Sequence, residues 1–261
     1  MKCIDAERIE TLGSRQLGPS DTFLFRCHAA LTCFNRCCRN LNLFLYPYDV
    51  VRLKNALALS SDSFLERHVD VVLREGNHFP EVLLRMADNA EKTCPFLSEA
   101  GCRVYPDRPD TCRSFPVEHG VRFDASGKAA ERLSFFRPPD FCLGQFENSP
   151  RTLASWSDDQ ESAVYQDMTV RWAELKQLFS VNPWGGEGPS GPRAKMAFMA
   201  TYNLDRFREF VFGSSFLKRY HVKPVTIKKV RSDDAALMKL GFAWVRLFLW
   251  GKASSRIAFK K

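Results

Sequence analysis

The 261-residue sequence predicts a mainly α fold with a loop-rich cysteine core and a small β-hairpin, so α+β character is minor. Three observations predict it. Cysteine is segregated: eight of the nine lie between residues 21 and 150, and none follows. The stretch "WSDDQESAVYQDMTVRWAELKQLF" (156–179) has no Gly or Pro and repeats apolar residues at helical spacing. Between Cys94 and Pro116, five prolines or glycines interrupt any regular period.

Taken in order, residues 1–20 read as a polar leader. "YPYDVVRLKNAL" (46–57) reads as a helix. Pro47 suits its first turn, Asp49 suits its positive end, and Val50, Leu53 and Leu57 recur on one side. "SSDSFLERHV" (60–69) is a second, short helix capped by Ser60 or Ser61. "EVLLRM" (81–86) is a short strand, and Cys94–Pro116 is loop. "HGVRF" and "ERLSFF" flank "DASGKAA", with Gly127 as a turn residue, which predicts a hairpin. The 156–179 helix carries a stripe of Val164, Met168, Trp172, Leu175 and Phe179. "NPWGGEGPSGP" (182–192) is a break before two or three further helices. The last, "SDDAALMKLGFAWVRLFLW" (232–250), is capped by Ser232 or Asp233. It is apolar nearly all round and too short to span a bilayer comfortably, so it is expected to be buried. The expected organisation is a leader (1–20), a cysteine-bearing module (21–150) and a helical region (151–261) packed on it as one unit.

Hydrophobic residues make up 45 % of the chain, enough for a core that needs no disulfide staples. No run of about 20 apolar residues is present, which excludes a transmembrane segment of that kind. The N-terminus lacks the apolar segment of a secretory signal, so a cytoplasmic location is expected, where thiols stay reduced. The net charge is +8, yet Ser215–Lys261 alone carries twelve Lys or Arg against two Asp. The basic character therefore belongs to the C-terminal region, which is expected to meet an acidic surface or simply water. Nucleic acid is not expected, because Phe207 and Phe210 fit a helix face better than a base-stacking platform.

Cysteine in a reduced compartment points to metal. Cys27, Cys33, Cys37 and Cys38 open the series, then Cys94, Cys102 and Cys112, then Cys142; Cys3 stands apart and is not expected to be a ligand. Thiolates select zinc or iron–sulfur clusters, and four of them close a structural zinc site or anchor one 4Fe–4S cubane. Neighbouring side chains diverge, so Cys37 and Cys38 suit different irons of one cluster, or two different sites. Eight thiolates suffice for two four-thiolate sites, or for one cluster with the remaining cysteines outside it. Inert core thiols sit in apolar surroundings, whereas these lie among charged and turn residues. Arg26, Arg36, Arg39, Arg103, Arg108 and Arg113 are close in sequence and would offset thiolate charge. With eight cysteines present, neither His28 nor His119 is needed as a ligand.

"CHAALTCFNRCC", "LYPYDVVRLKNAL", "CPFL…GCRVYPDRPDTCRSFP" and "DFCLG" together resemble the bacterial YkgJ-type cysteine-cluster family, the zinc- or iron-chelating CxxCxxCC domain, over roughly Phe23–Gln145. The spacing departs from the family's name: five residues separate Cys27 from Cys33, and three separate Cys33 from Cys37. A relative of known activity, flagellin lysine-N-methylase, has a similar cysteine arrangement. The resemblance implies an iron–sulfur cluster or zinc on the eight inner cysteines. It also raises lysine methylation as a reaction.

Three functions follow. The first is a metal-cluster protein with a redox or electron-transfer role and an unidentified protein or redox partner. The second is a protein lysine methyltransferase using S-adenosylmethionine, although no Gly-rich fingerprint follows a strand and "GGEGPSG" reads as a linker. The third is a zinc-stabilised binding module. No Ser–His–Asp, P-loop or paired-carboxylate motif stands out. Asp107, Asp110, Asp158 and Asp159 read as turn and helix-start residues.

Overall fold

The structure is a computed structural model and describes residues 2–3 and 15–260. Strands β1 (Lys2–Cys3), β2 (Arg15–Gln16) and β3 (Thr22–Leu24) precede helices α1 (Pro47–Ala56) and α2 (Ser61–His68). Strands β4 (Val69–Val72), β5 (Glu81–Leu84), β6 (Leu97–Ser98) and β7 (Gly101–Cys102) lead to α3 (Asp110–Ser114), then to β8 (Val117–Phe123) and β9 (Ala129–Phe136). After β10 (Pro150–Thr152) the chain is largely helical: α4 (Leu153–Asp159), α5 (Ala163–Lys176), α6 (Pro192–Tyr202), α7 (Leu204–Gly213), α8 (Phe216–Arg219), α9 (Pro224–Lys229) and α10 (Asp234–Trp250). Strands β11 (Tyr220–Val222) and β12 (Ile257–Phe259) pair antiparallel in this part. The fold is α-dominant α+β, as the sequence predicts.

Contacts divide the chain into two compact units whose segments interleave. One comprises residues up to 44 together with 84–174; the other comprises 45–83 and 175–261. The eight cysteines from Cys27 to Cys142 all belong to the first.

In the first unit the expected hairpin is β8–β9. Gly127 N–H donates to Asp124 O at its turn, and the Asp124 carboxylate accepts from the Ser126 and Lys128 N–H groups. The hairpin is the centre of a four-stranded sheet in the order β1-β8-β9-β2. β1 runs parallel to β8, and the other pairs are antiparallel. β3 pairs with β10, which brings Phe23 opposite Arg151. The alternation along β3 turns Phe23 inward, and Leu17, Phe23, Phe25, Val117, Cys142 and Trp156 form one buried cluster.

The second unit is helical for reasons written locally. Pro47 opens α1, and Tyr46 N–H donates to the Asp49 carboxylate at 2.8 Å. Ser60 caps α2 through Ser63 N–H, and Asp233 caps α10 through Ala236 N–H at 2.8 Å. α10 is buried on most sides, as its composition predicts. It packs on α6 at Gly241, where a Cβ would lie 2.2 Å from the Ala200 carbonyl oxygen. Among the described residues no helix is long and apolar enough to cross a membrane.

Three expectations need correction. Five helices, α6 to α10, follow the 182–192 break instead of two or three, because short turns and β11 divide the segment. Residues 156–179 are not one helix. α4 ends at Asp159, Glu161 adopts φ +47°, and α5 starts at Ala163. The cause is distant in sequence: the buried Arg113 guanidinium donates to the Gln160 carbonyl, which diverts it from the helix ladder. Met168, Trp172, Leu175 and Phe179 are buried as the stripe requires, but Val164 is 55 % exposed. Cys94–Pro116 is also not all loop, since β6, β7 and α3 lie within it.

Candidate metal centre

The site is assembled by short backbone ties rather than by long elements. Arg26 N–H donates to Gly144 O at 3.1 Å, which lays residues 142–144 against the segment after β3 that carries Cys27. Only glycine permits this approach. A Cβ at position 144 would lie 2.8 Å from the Arg26 carbonyl oxygen and 3.0 Å from the Phe25 ring. One residue earlier, Leu143 N–H donates to the Cys33 sulfur at 3.2 Å. Cys27, Cys33 and Cys142 are thereby gathered at one place. Beneath them Phe25 meets Trp156 edge-on at 5.4 Å, and Trp156 Nε1 donates to Ser114 O.

Asn35, at φ +62°, turns the chain into a single 3-10 turn over Arg36–Cys38. Asparagine tolerates that left-handed conformation better than most residues. The turn places Cys37 and Cys38 at the junction of two groups. Cys38 O accepts from Cys94 N–H at 2.8 Å, next to a β-bridge between Arg39 and Thr93. A turn from Cys94 to Leu97 and the β6–β7 pairing, with Leu97 opposite Cys102, return the chain past Cys94. α3 carries Cys112.

The thiols act on one another within two overlapping groups, here called lobes. Cys27 is exposed, yet desolvation pushes it up to about 11, with further contributions from the negative charge of Cys37, Cys142 and Cys33. Cys142 is raised by burial and then by Cys33 and Cys37. In the second lobe, Cys38 is raised through its hydrogen bond with Cys37, by burial, and by the charges of Cys37, Cys112 and Cys94. Cys94 and Cys102 are both raised chiefly by burial, and Cys94 also by Cys102. Cys37 moves the other way, to about 7. The Cys38 hydrogen bond stabilises its thiolate and Arg39 adds to this, against the opposing effect of burial. Cys37 lies at the boundary, because Cys102 also senses it.

Cys27, Cys33, Cys37 and Cys142 thus influence one another, as do Cys38, Cys94, Cys102 and Cys112, and the two groups are linked through Cys37, which acts on both Cys38 and Cys102. Among the described residues, no three His, Cys, Asp or Glu side chains converge closely enough to hold an ion as they stand. In donor chemistry each lobe still fits a thiolate-bound metal, since four sulfur atoms are what such centres use and binding removes the thiol protons. Cys3 lies in β1, opposite Val121.

The arginines divide by role. Arg39, Arg103 and Arg108 place positive charge near Cys37, Cys94 and Cys102. Arg113 is 2 % exposed and ties the loop instead, donating to Pro106 O at 2.5 Å and to Gln160 O, with its guanidinium 4.3 Å from the Tyr165 ring centre. Arg26 and Arg36 are exposed, Arg36 lying over the Phe141 ring. The histidines have other partners: His28 Nε2 sits 3.2 Å from Glu147, and His119 Nδ1 sits 3.0 Å from Ser134 Oγ. Sequence reasoning missed Gly144 and Gln160. Both act through backbone contacts far away in the chain, and the only signal was a glycine two residues after a candidate ligand.

No curated protein and no solved structure matches the chain. Residues 26–142, which span every cysteine of both lobes, match the model of the CxxCxxCC family, described as a "Putative zinc- or iron-chelating domain".

Proposed function

We propose that this protein is an iron–sulfur electron-transfer protein. In this reading Cys27, Cys33, Cys37 and Cys142 hold a four-iron cluster, and Cys38, Cys94, Cys102 and Cys112 form a second four-thiolate site. The supporting observation is the sorting of eight thiols into two lobes, with the neighbours Cys37 and Cys38 at their junction. A bound four-iron cluster supplies one-electron chemistry. The chain's own part is to hold sulfur at fixed positions, to exclude water with the Phe25–Trp156 packing, and to offset thiolate charge with Arg39, Arg103 and Arg108. The exposed Cys27 lies where a redox partner would approach.

Anaerobic purification with iron, acid-labile sulfide and zinc analysis, read beside the visible spectrum, tests this. Iron with matching sulfide in a coloured protein is expected. Stoichiometric zinc in a colourless protein would instead make the centre structural and the protein a zinc-stabilised binding module. Cys37→Ser and Cys38→Ser test the two-lobe assignment. Each variant is expected to lose only its own lobe's metal; loss of all metal from both would mean one shared centre.

A further inference from the structure

We propose that a cleft between the β8–β9 hairpin and helices α4 and α5 is a binding site for a small monocarboxylate. The cleft lies within the cysteine-bearing unit and has a volume of about 40 Å³. His119 of β8 and Ser134 of β9 are register partners, and Arg132, two residues before Ser134, shares its face of the strand. Gln166 of α5 reaches in from the opposite side, and Leu153 and Trp156 of α4 form an apolar wall.

The hydrogen bonds in this cleft run in one direction. Arg132 Nη1 donates to Gln166 Oε1 at 2.6 Å, and a guanidinium can only donate. Gln166 therefore turns its amide nitrogen the other way. There Nε2 donates to Ser162 Oγ at 2.8 Å and faces His119 Nε2 at 3.4 Å. The second contact makes His119 Nε2 an acceptor, so the ring proton sits on Nδ1 and is donated to Ser134 Oγ at 3.0 Å. Burial, then the charge of Arg132, pushes His119 down to about 4, which keeps the ring in the neutral form that this chain of bonds requires.

Two donor groups are left over. Ser134 is 6 % exposed; its oxygen accepts from His119, and its hydroxyl hydrogen has no acceptor among the described residues. Arg132 is exposed at the mouth, gives one N–H to Gln166 and forms no ion pair among the described residues. The lining contains no Asp or Glu. Asp110 senses the Arg132 charge from outside the lining, where Thr169 Oγ1 donates to it. A buried donor without an acceptor is costly, and a bound oxyanion would satisfy Ser134 and Arg132 together. One guanidinium balances the single charge of a carboxylate but not the charge of about two that phosphate carries at neutral pH. Leu153 and Trp156 offer apolar surface to a short hydrocarbon part. Because His119 donates to Ser134 instead of accepting from it, the pair is not set up as base and nucleophile, and the site holds its ligand without cleaving it.

Titration of the full-length protein with acetate and with propionate, followed by NMR of the His119 ring and by thermal denaturation, tests the proposal. Both carboxylates are expected to shift the ring signals saturably and to raise the melting temperature, whereas phosphate and chloride at equal ionic strength should do neither. Arg132→Gln, a change at the exposed mouth, should weaken acetate binding by about tenfold or more, the usual loss for a hydrogen bond to a charged group. Ser134→Ala should weaken it by several fold. Arg137→Gln, which removes an exposed arginine paired with Glu118 just beyond β9, should leave the affinity unchanged. Circular dichroism should match the unmodified protein in each variant. Absence of a saturable shift with acetate, unchanged affinity in the folded Arg132→Gln variant, or binding of phosphate in place of acetate would overturn the proposal.

Discussion

Gly144 is the residue on which the first lobe turns. Its missing side chain lets the 142–144 segment lie on Arg26, which brings Cys142 and the Cys33 hydrogen bond to Cys27. Gly144→Ala should cost about 1–3 kcal/mol, the usual range for forcing atoms into a packed site. It should also lower metal content, whereas a purely structural role would lower stability alone. Urea denaturation and metal analysis of the same preparation check both. His119 offers a pH test away from the cysteines. Burial, then the charge of Arg132, pushes it down to about 4 from 6.5, and Ser134 and Gln166 hold its ring. The imidazole is thus neutral in the folded state. Between pH 6.5 and about 4 the unfolded chain binds a proton that the folded chain does not, so the stability it contributes is complete above 6.5 and is lost as pH falls through that window. His119→Gln should remove this component. Comparing urea midpoints of both proteins at about pH 7 and about pH 5 measures it; an equal drop in both would exclude His119 as its source.

At the scale of elements, what could be read from the sequence was what is decided locally. α1 opens at Pro47, and α2 and α10 are capped by Ser60 and Asp233, because each start depends on residues within one turn. The β8–β9 hairpin was legible from its flanking strands and Gly127 for the same reason. The 156–179 segment misleads because its break is imposed by Arg113, 47 residues before the carbonyl it engages. The site divides in the same way. The thiol inventory was plain in the residue types, but the sorting into lobes was not. It rests on ties such as Leu143 to Cys33, which join positions 110 residues apart. Helix packing supplies a sharper element-scale prediction. At Gly241→Ala the new Cβ would lie 2.2 Å from the Ala200 carbonyl oxygen and 3.3 Å from the Phe207 ring, neither of which is a flexible side-chain end. The variant should lose about 3 kcal/mol as α10 is pushed from α6. Gly213→Ala, with nothing within 4 Å of its Cβ, is the matched control and should stay close to the unmodified protein in thermal denaturation.

At the scale of the whole molecule, the two units are built on different physics. The unit spanning 45–83 and 175–261 buries a dense aromatic core, with Phe79 and Phe179 at 4.4 Å and Trp244 stacked on Phe248 at 4.8 Å. The cysteine-bearing unit has its own aromatic cluster, but residues 26–40 hold one 3-10 turn, and 94–116 hold only the short β6, β7 and α3, a second 3-10 turn (Tyr105–Asp107) and few buried apolar side chains. Thiolate–metal bonds can contribute about 10–16 kcal/mol, comparable to the whole stability of a domain at about 5–15 kcal/mol. Metal would therefore organise one unit and leave the other largely unaffected. Hydrogen exchange of the full chain, with metal bound and after its complete removal, measures this directly. The account predicts lost protection across 26–40 and 94–116, retained protection in α6, α7 and α10, and retained helical circular dichroism. Unchanged protection around Cys94–Cys112 after metal removal would contradict it and leave the cysteines as buried thiols that the fold does not need.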